Sequence, residues 1–260
     1  MSRDQLVRVE SQGSIMAVTF DRPENLNAIN PEVYAAFEDA LNEFAESDAR
    51  VAVLFGEGSK AFIAGADISD YLESDAEAYI RLMNDGHRIM RRMRDVPKPI
   101  VAAVQGYALG GGFEIALSSD LIVASERSRF GLPEANLGLV PGGGGTQRLA
   151  RLVGRVRAND LMMRARIIGA QEALGMGFVN LVVSEESFVE TVWEYANQLA
   201  TQSPQVLASI KYLTGLADGS DLWDRLQVEA QHSVDAFLSP NGREGVRAFM
   251  EKRNPHFRSQ

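Results

Sequence analysis

Short apolar runs alternating with helical patterns constrain this chain more than any other feature. Val51–Phe55, Ile100–Gln105 and Leu121–Ala124 are short stretches dominated by Val, Ile, Leu, Phe and Ala, and they read as buried strands. Between them lie clear helical signals. Asn30 is placed to cap a helix that opens with Pro31, and Val33, Phe37, Leu41 and Phe44 then fall on one face. A second helix is expected over Ala76 to Arg94, closed by Pro97 and Pro99. At the N-terminus, Leu6–Glu10 and Ile15–Phe20 flank Gln12-Gly13 as a hairpin would. Phe178–Val183 is the last expected strand. Beyond Glu185 the pattern is helical, with breaks at Ser203-Pro204, Gly219 and Pro240-Asn241-Gly242. The chain therefore reads as an α/β core over residues 1–185 followed by a helical region over 186–260.

Composition excludes several kinds of chemistry. There is no cysteine among the 260 residues, hence no disulfide framework, no thiolate metal site and no thiol nucleophile. A net charge of −9 argues against a nucleic-acid partner bound through a general positive field. The N-terminus lacks a signal-peptide core, and the longest uncharged stretch, Pro99 to Phe113, is too short and glycine-broken to span a bilayer, so a soluble cytoplasmic protein is expected, with no membrane partner. The charge is uneven. Residues 87–98 carry Arg88, Arg91, Arg92, Arg94 and Lys98 against Asp95, a net of +4; residues 241–260 carry Arg243, Arg247, Lys252, Arg253 and Arg258 against Glu244 and Glu251, a net of +3. Either island offers local cations to a phosphorylated ligand.

Two glycine clusters decide between binding modes. Gly106-Tyr-Ala-Leu-Gly110-Gly111-Gly112 follows a strand but lacks the spacing of a dinucleotide fingerprint, and neither it nor Gly142–Gly145 is followed by the Lys-Ser or Lys-Thr of a P-loop. Turn formation and close packing remain a sufficient account of Gly142–Gly145 on its own. Gly110–Gly112 says more, because it joins a strand to a helix. Bare N–H groups at such a junction can hold a ligand oxygen and favour negative charge on it. Glu114 follows in the first turn, within an apolar neighbourhood, and Glu134 lies 20 residues on, aimed from a loop by Pro133. Paired carboxyl groups can divide acid and base roles. Spacing alone leaves the alternative open, with Glu114 a dipole partner and Glu134 a solvated acid. His87, His232 and His256 are isolated and lack ligand spacing; Asp120 and Asp160 read as caps or exposed acids.

Four segments carry a family resemblance: Ala64-Gly-Ala-Asp-Ile68, Lys98-Pro-Ile-Val-Ala-Ala-Val104, Gly106 through Glu114, and Pro141-Gly-Gly-Gly-Gly-Thr-Gln-Arg-Leu149. Together with Arg243-Glu-Gly245 and Phe249-Met-Glu-Lys-Arg253, they resemble the enoyl-CoA hydratase/isomerase (crotonase) superfamily, and enoyl-CoA hydratases most. The resemblance implies a spiral of ββα units with a helical C-terminal trimerisation region, assembled as a homotrimer or dimer of trimers. It implies syn addition of water to a 2-enoyl-CoA thioester. The N–H groups of Ala66 and Gly111 would form the oxyanion hole, Glu114 would activate water, and Glu134 would protonate C2. Gly142 matches a backbone group near the catalytic water. Ala64, Asp67, Ile68 and the Leu26 region match the surface that contacts coenzyme A, and Lys252 a basic residue that reaches a neighbouring subunit's coenzyme A. No metal and no cofactor are implied, coenzyme A being part of the substrate. The alternatives are a Δ3-Δ2 isomerase, a carnitinyl-CoA-type dehydratase, an acyl-CoA hydrolase or decarboxylase, or a non-catalytic relative that binds coenzyme A or RNA. Two positions depart from the pattern. Ser233 stands where relatives carry an aromatic beside the adenine, and Gly143 stands where an alanine is common, an exchange expected to matter little.

Overall fold

The computed structural model describes residues 6–67, 75–216 and 239–258. Its first element is the expected hairpin, β1 (Val7–Gln12) and β2 (Ile15–Phe20), paired antiparallel from Val7↔Phe20 to Gln12↔Ile15. Gly13 makes the turn in the left-handed region, at φ 60°. β3 (Val51–Gly56), β5 (Ile100–Val104), β7 (Leu121–Ser125) and β10 (Leu181–Val183) then add in parallel, giving a sheet of order β1-β2-β3-β5-β7-β10.

The pattern reading passed over four three-residue strands. β4 (Ala61–Ile63), β6 (Tyr107–Leu109), β8 (Arg129–Gly131) and β9 (Ile167–Gly169) form a second sheet in that order. The chain thus sends β3, β5 and β7 to the large sheet and β4, β6 and β8 to the small one. This is the repeating ββ unit of a spiral, and it turns twice through helices, α2 (Ala76–Asp95) between β4 and β5 and α3 (Gly111–Ser118) between β6 and β7; α1 (Pro31–Glu46), before β3, packs against α2.

Apolar strands without alternation make sense in this arrangement, because both faces of the large sheet are covered. On one face Ile15, Val51, Val53, Val101 and Val123 meet Phe188, Val192 and Ala196 of α7 (Phe188–Ala200). On the other, Ala52, Leu54, Ala102 and Val104 join the main core. There Phe20 stands edge-on to Phe37 and Phe62, with ring centroids 4.9 and 6.1 Å away. α1 starts as expected: the Asn30 side chain accepts a hydrogen bond from Val33 N at 2.9 Å, and Val33, Phe37, Leu41 and Phe44 are buried.

Some expected elements move. The last strand shrinks from Phe178–Val183 to Leu181–Val183, because Gly177 ends a helix in the left-handed conformation. Phe178 instead packs against Phe113 and Phe130, 5.2 and 5.5 Å between centroids. Three helices, α4 (Gly145–Val153), α5 (Arg155–Met163) and α6 (Ala170–Met176), occupy a stretch to which the pattern assigned nothing. At two of the expected breaks new helices begin, α8 (Pro204–Gly215) at Ser203-Pro204 and α9 (Pro240–Met250) at Pro240-Asn241-Gly242, with Pro240 supplying a first-turn residue that needs no N–H partner. Gly219, His232 and Ser233 lie outside the described residues. Asp120 is exposed, as expected, yet it also accepts from Ile100 N at 2.8 Å and pairs at 2.9 Å with Lys211, which donates to the carbonyls of Met93 and Lys98. That cluster ties α8 to the end of α2. Much of the first basic island is internally committed, Arg88 to Glu38 and Asp85 and Arg94 to Asp95. In the second, Arg253 is held by Glu244 and Glu251.

Candidate active site

The site is assembled where the two sheets and the glycine segments meet. β6 ends at Leu109, and Gly110 turns the chain at φ 50° while its N–H donates to Gly131 O at 2.9 Å. α3 begins at the next residue, so the Gly111 N–H belongs to the orphan donors of a helix start. A facing segment runs beside it. Ile29 donates to Gly65 O and accepts from Asp67 N, at 2.9 and 2.8 Å, which uses the amides on one side of the Ile29–Ala66 bridge. The Ala66 N–H lies between them and has no backbone partner among the described residues. Gly65 and Gly110 bring the two segments together: a Cβ on Gly110 would lie 3.7 Å from Gly65 Cα.

Between them opens a cavity of about 350 Å³. Its walls are mostly apolar, including Leu82, Met83, Leu139 and Val140, with Tyr34 and Tyr79 among them. Ala64, Ala66, Gly111, Gly142, Glu114 and Glu134 line the same cavity. Six of the ten expected site residues are therefore in one place. Leu26 is not among the cavity-lining residues; it lies alongside, its carbonyl accepting from Ala64 N at 3.0 Å, and borders a smaller hollow with Lys60. Asp67 pairs with Arg22 at 3.3 Å and does not line the cavity. Lys252 is exposed in the turn after α9. Ile68 lies outside the described residues.

The two carboxyls sit in different surroundings. Glu114 is only 4% exposed, and its Oε1 accepts from Gly145 N at 2.8 Å. Burial pushes its carboxyl above the usual range, while the amides of Gly145 and Gly143 and the charges of Arg148 and His87 pull it back. Glu134 lies in a short 3₁₀ turn, Pro133–Leu137, rather than an irregular loop. Its carboxyl is pushed up to about 7, mainly by burial; its own backbone amide opposes this and the charge of Glu114 adds to it. Its Oε2 is buried without a hydrogen-bond partner among the described residues. Burial thus holds both carboxyls above the usual carboxylate range, and Glu134, at about 7, exchanges its proton near neutral pH.

The Gly142–Gly145 turn is required here by close approach. A Cβ on Gly143 would stand 2.5 Å from Glu114 Oε2 and 2.8 Å from Met90 Cε. The exchange with alanine, expected to matter little, would require the ends of those two side chains to shift. Sequence reading also set aside His87, yet its Nε2 lies 2.6 Å from Gly142 O. A separation of 55 residues leaves no local signal for that contact. Among the described residues no group of three or more His, Asp or Glu could hold a metal ion, and no helix is long and apolar enough to cross a membrane.

Comparison with known proteins gives a consistent picture. Residues 10–260 match the family profile described as enoyl-CoA hydratase/isomerase. A short-chain-enoyl-CoA hydratase of Clostridium acetobutylicum is 38% identical over 248 residues, covering 95% of each chain. The crystal structure of an enoyl-CoA hydratase from Bacillus anthracis superposes with a TM-score of 0.95 at 32% identity, covering 98% of this chain and 100% of that one. One from Polaromonas sp. JS666 gives 0.93 at 35% identity, covering 97% and 99%.

Proposed function

The chain belongs to the enoyl-CoA hydratase/isomerase family, and from that premise we propose that it acts as an enoyl-CoA hydratase, adding water reversibly and syn across the C2–C3 double bond of a 2-trans-enoyl-CoA. The observation that carries this reading is the pair Glu114 and Glu134 lining one mostly apolar cavity, both carboxyls raised by burial. Only two proton positions and one developing oxyanion need to be served, and the residues present can serve them.

The thioester carbonyl oxygen sits between the N–H groups of Ala66 and Gly111. These favour the enolate charge that develops as the π electrons leave C2=C3. Glu114, as carboxylate, takes a proton from water while the water oxygen bonds to C3. Glu134, as carboxylic acid, returns a proton to C2. One O–H bond and one π bond are lost; a C3–O and a C2–H bond form. Syn addition needs both carboxyls on one side of the acyl group, and both line the one cavity. Proton exchange through solvent restores the starting forms. The apolar walls around Leu82, Met83 and Leu139 suit an uncharged acyl chain. Proton transfer and carbonyl polarisation complete the reaction without a cofactor. Ala64 at the cavity wall, with Leu26 and Asp67 outside it, forms the adjoining surface for coenzyme A, with Ile68 and Lys252 as further contacts. The exposed Leu137, Val140, Leu152, Val156 and Met163 offer apolar surface for a homotrimer or dimer of trimers.

Crotonyl-CoA incubated with the protein should lose its conjugated-enoyl absorbance and yield 3-hydroxybutyryl-CoA. Release of free thiol instead, or migration of the double bond without water uptake, would overturn the assignment.

A further inference from the structure

Glu114 is oriented by a turn with no side chains of its own, so its order has to come from elsewhere. Gly143 cannot carry a Cβ without striking Glu114, and Gly144 sits in the left-handed region at φ 96° with Arg148 against it. Such backbone is the most freely moving kind a chain contains. Two side chains grip it from outside. His87 Nε2, from α2, lies 2.6 Å from Gly142 O, and Arg148 Nη1, from α4, donates to Gly143 O at 3.1 Å. A carbonyl only accepts, so this contact makes His87 Nε2 the donor, in the Nε2–H tautomer or the doubly protonated ring.

The covalent geometry makes the first contact informative. The carbonyl of Gly142 and the N–H of Gly143 belong to one planar peptide and point in opposite directions. That same N–H is among the backbone amides that pull the Glu114 carboxyl down, and Gly143 lies so close to it that an added Cβ would stand 2.5 Å from Glu114 Oε2. His87 therefore holds one end of the peptide whose other end holds the carboxylate. A donor on the carbonyl also polarises the unit and strengthens the bond its N–H makes.

We propose that His87 is a positioning residue for hydration: it fixes the Gly142–Gly143 peptide so that the N–H of Gly143 stays aimed at Glu114. This rests on the hydratase reading above. The charged groups facing Glu114 are His87 from α2, Arg148 from α4 and Glu134 from the 3₁₀ turn, and the substitution below changes only the first.

The test measures crotonyl-CoA hydration by wild type, His87→Ala and His87→Gln from pH 5 to 9, with a thermal melt of each. His87 is exposed, so all three should melt alike. His87→Ala should lose three- to tenfold in kcat with KM within twofold, the size of effect one hydrogen bond supports. Its acid-side limb should move to higher pH, because Glu114 loses a favourable donor. Gln, which keeps an N–H, should restore most of both. Equal kcat and unchanged limbs in wild type and His87→Ala overturn the proposal, as does a Gln variant no better than Ala. Failure of wild type itself to hydrate crotonyl-CoA would instead strike the hydratase reading.

Discussion

Glu134→Gln should make the protein more stable and nearly inactive, and the stability gain should depend on pH. The Glu134 carboxyl rises from 4.5 to about 7 on folding, chiefly because burial disfavours its charged form. The sign follows from linkage. Between those values the folded state binds more protons than the unfolded one, so stability falls as pH rises, and the cost is complete above about 7. At about 1.36 kcal/mol per pH unit, the rise of about 2.5 sets an upper limit near 3.4 kcal/mol. The carboxyl opens on a cavity that solvent reaches, so screening reduces this to roughly 1–2 kcal/mol. Glutamine keeps the shape and removes the charge. At pH 8 the variant should melt roughly 3–6 °C above wild type, given a few degrees per kcal/mol for a chain of this size. At pH 4.5, where wild type is itself protonated, the two should melt together. Scanning calorimetry at both pH values measures this. A gain equal at both, or a Gln variant less stable at pH 8, would refute a burial-raised Glu134.

Three more outcomes follow from the same geometry. Hydration kcat/KM should fall through an alkaline limb near pH 7, about tenfold per further pH unit, because Glu134 must be protonated to supply the C2 proton; a flat profile to pH 9 would contradict the role. Gly143→Ala should lose at least about tenfold in kcat and roughly 1–3 kcal/mol in stability, since its Cβ meets Glu114 Oε2 at 2.5 Å; kinetics and a urea melt check both. Lys211→Ala removes the cation paired with Asp120 and the donor to the carbonyls of Met93 and Lys98 and should cost about 1–3 kcal/mol, read by urea unfolding, with little change in kcat at 25 °C.

Legibility in the sequence tracked the length scale of each signal. The large sheet could be read because Val51–Phe55, Ile100–Gln105 and Leu121–Ala124 are apolar throughout, and α1 because Asn30 and Pro31 announce its start. The small sheet could not, because β4, β6, β8 and β9 are three residues each, too short to show a period. Glu114 was conspicuous as a lone acid in an apolar, glycine-rich stretch. Glu134 became informative only beside it. Contacts across the fold left no trace: His87 with Gly142, Asp120 with Lys211, Gly143 against Glu114. Each joins residues whose nearness comes from tertiary packing, and residue type alone assigned them the commonest surface roles.

The division of labour between the two carboxyls is tested most directly by the rate of crotonyl-CoA hydration in Glu114→Gln and Glu134→Gln beside wild type. Each substitution should lower kcat by about 10²–10⁴, the worth of a positioned acid or base, with the fold retained in both. Near-wild-type hydration by either variant would contradict the account.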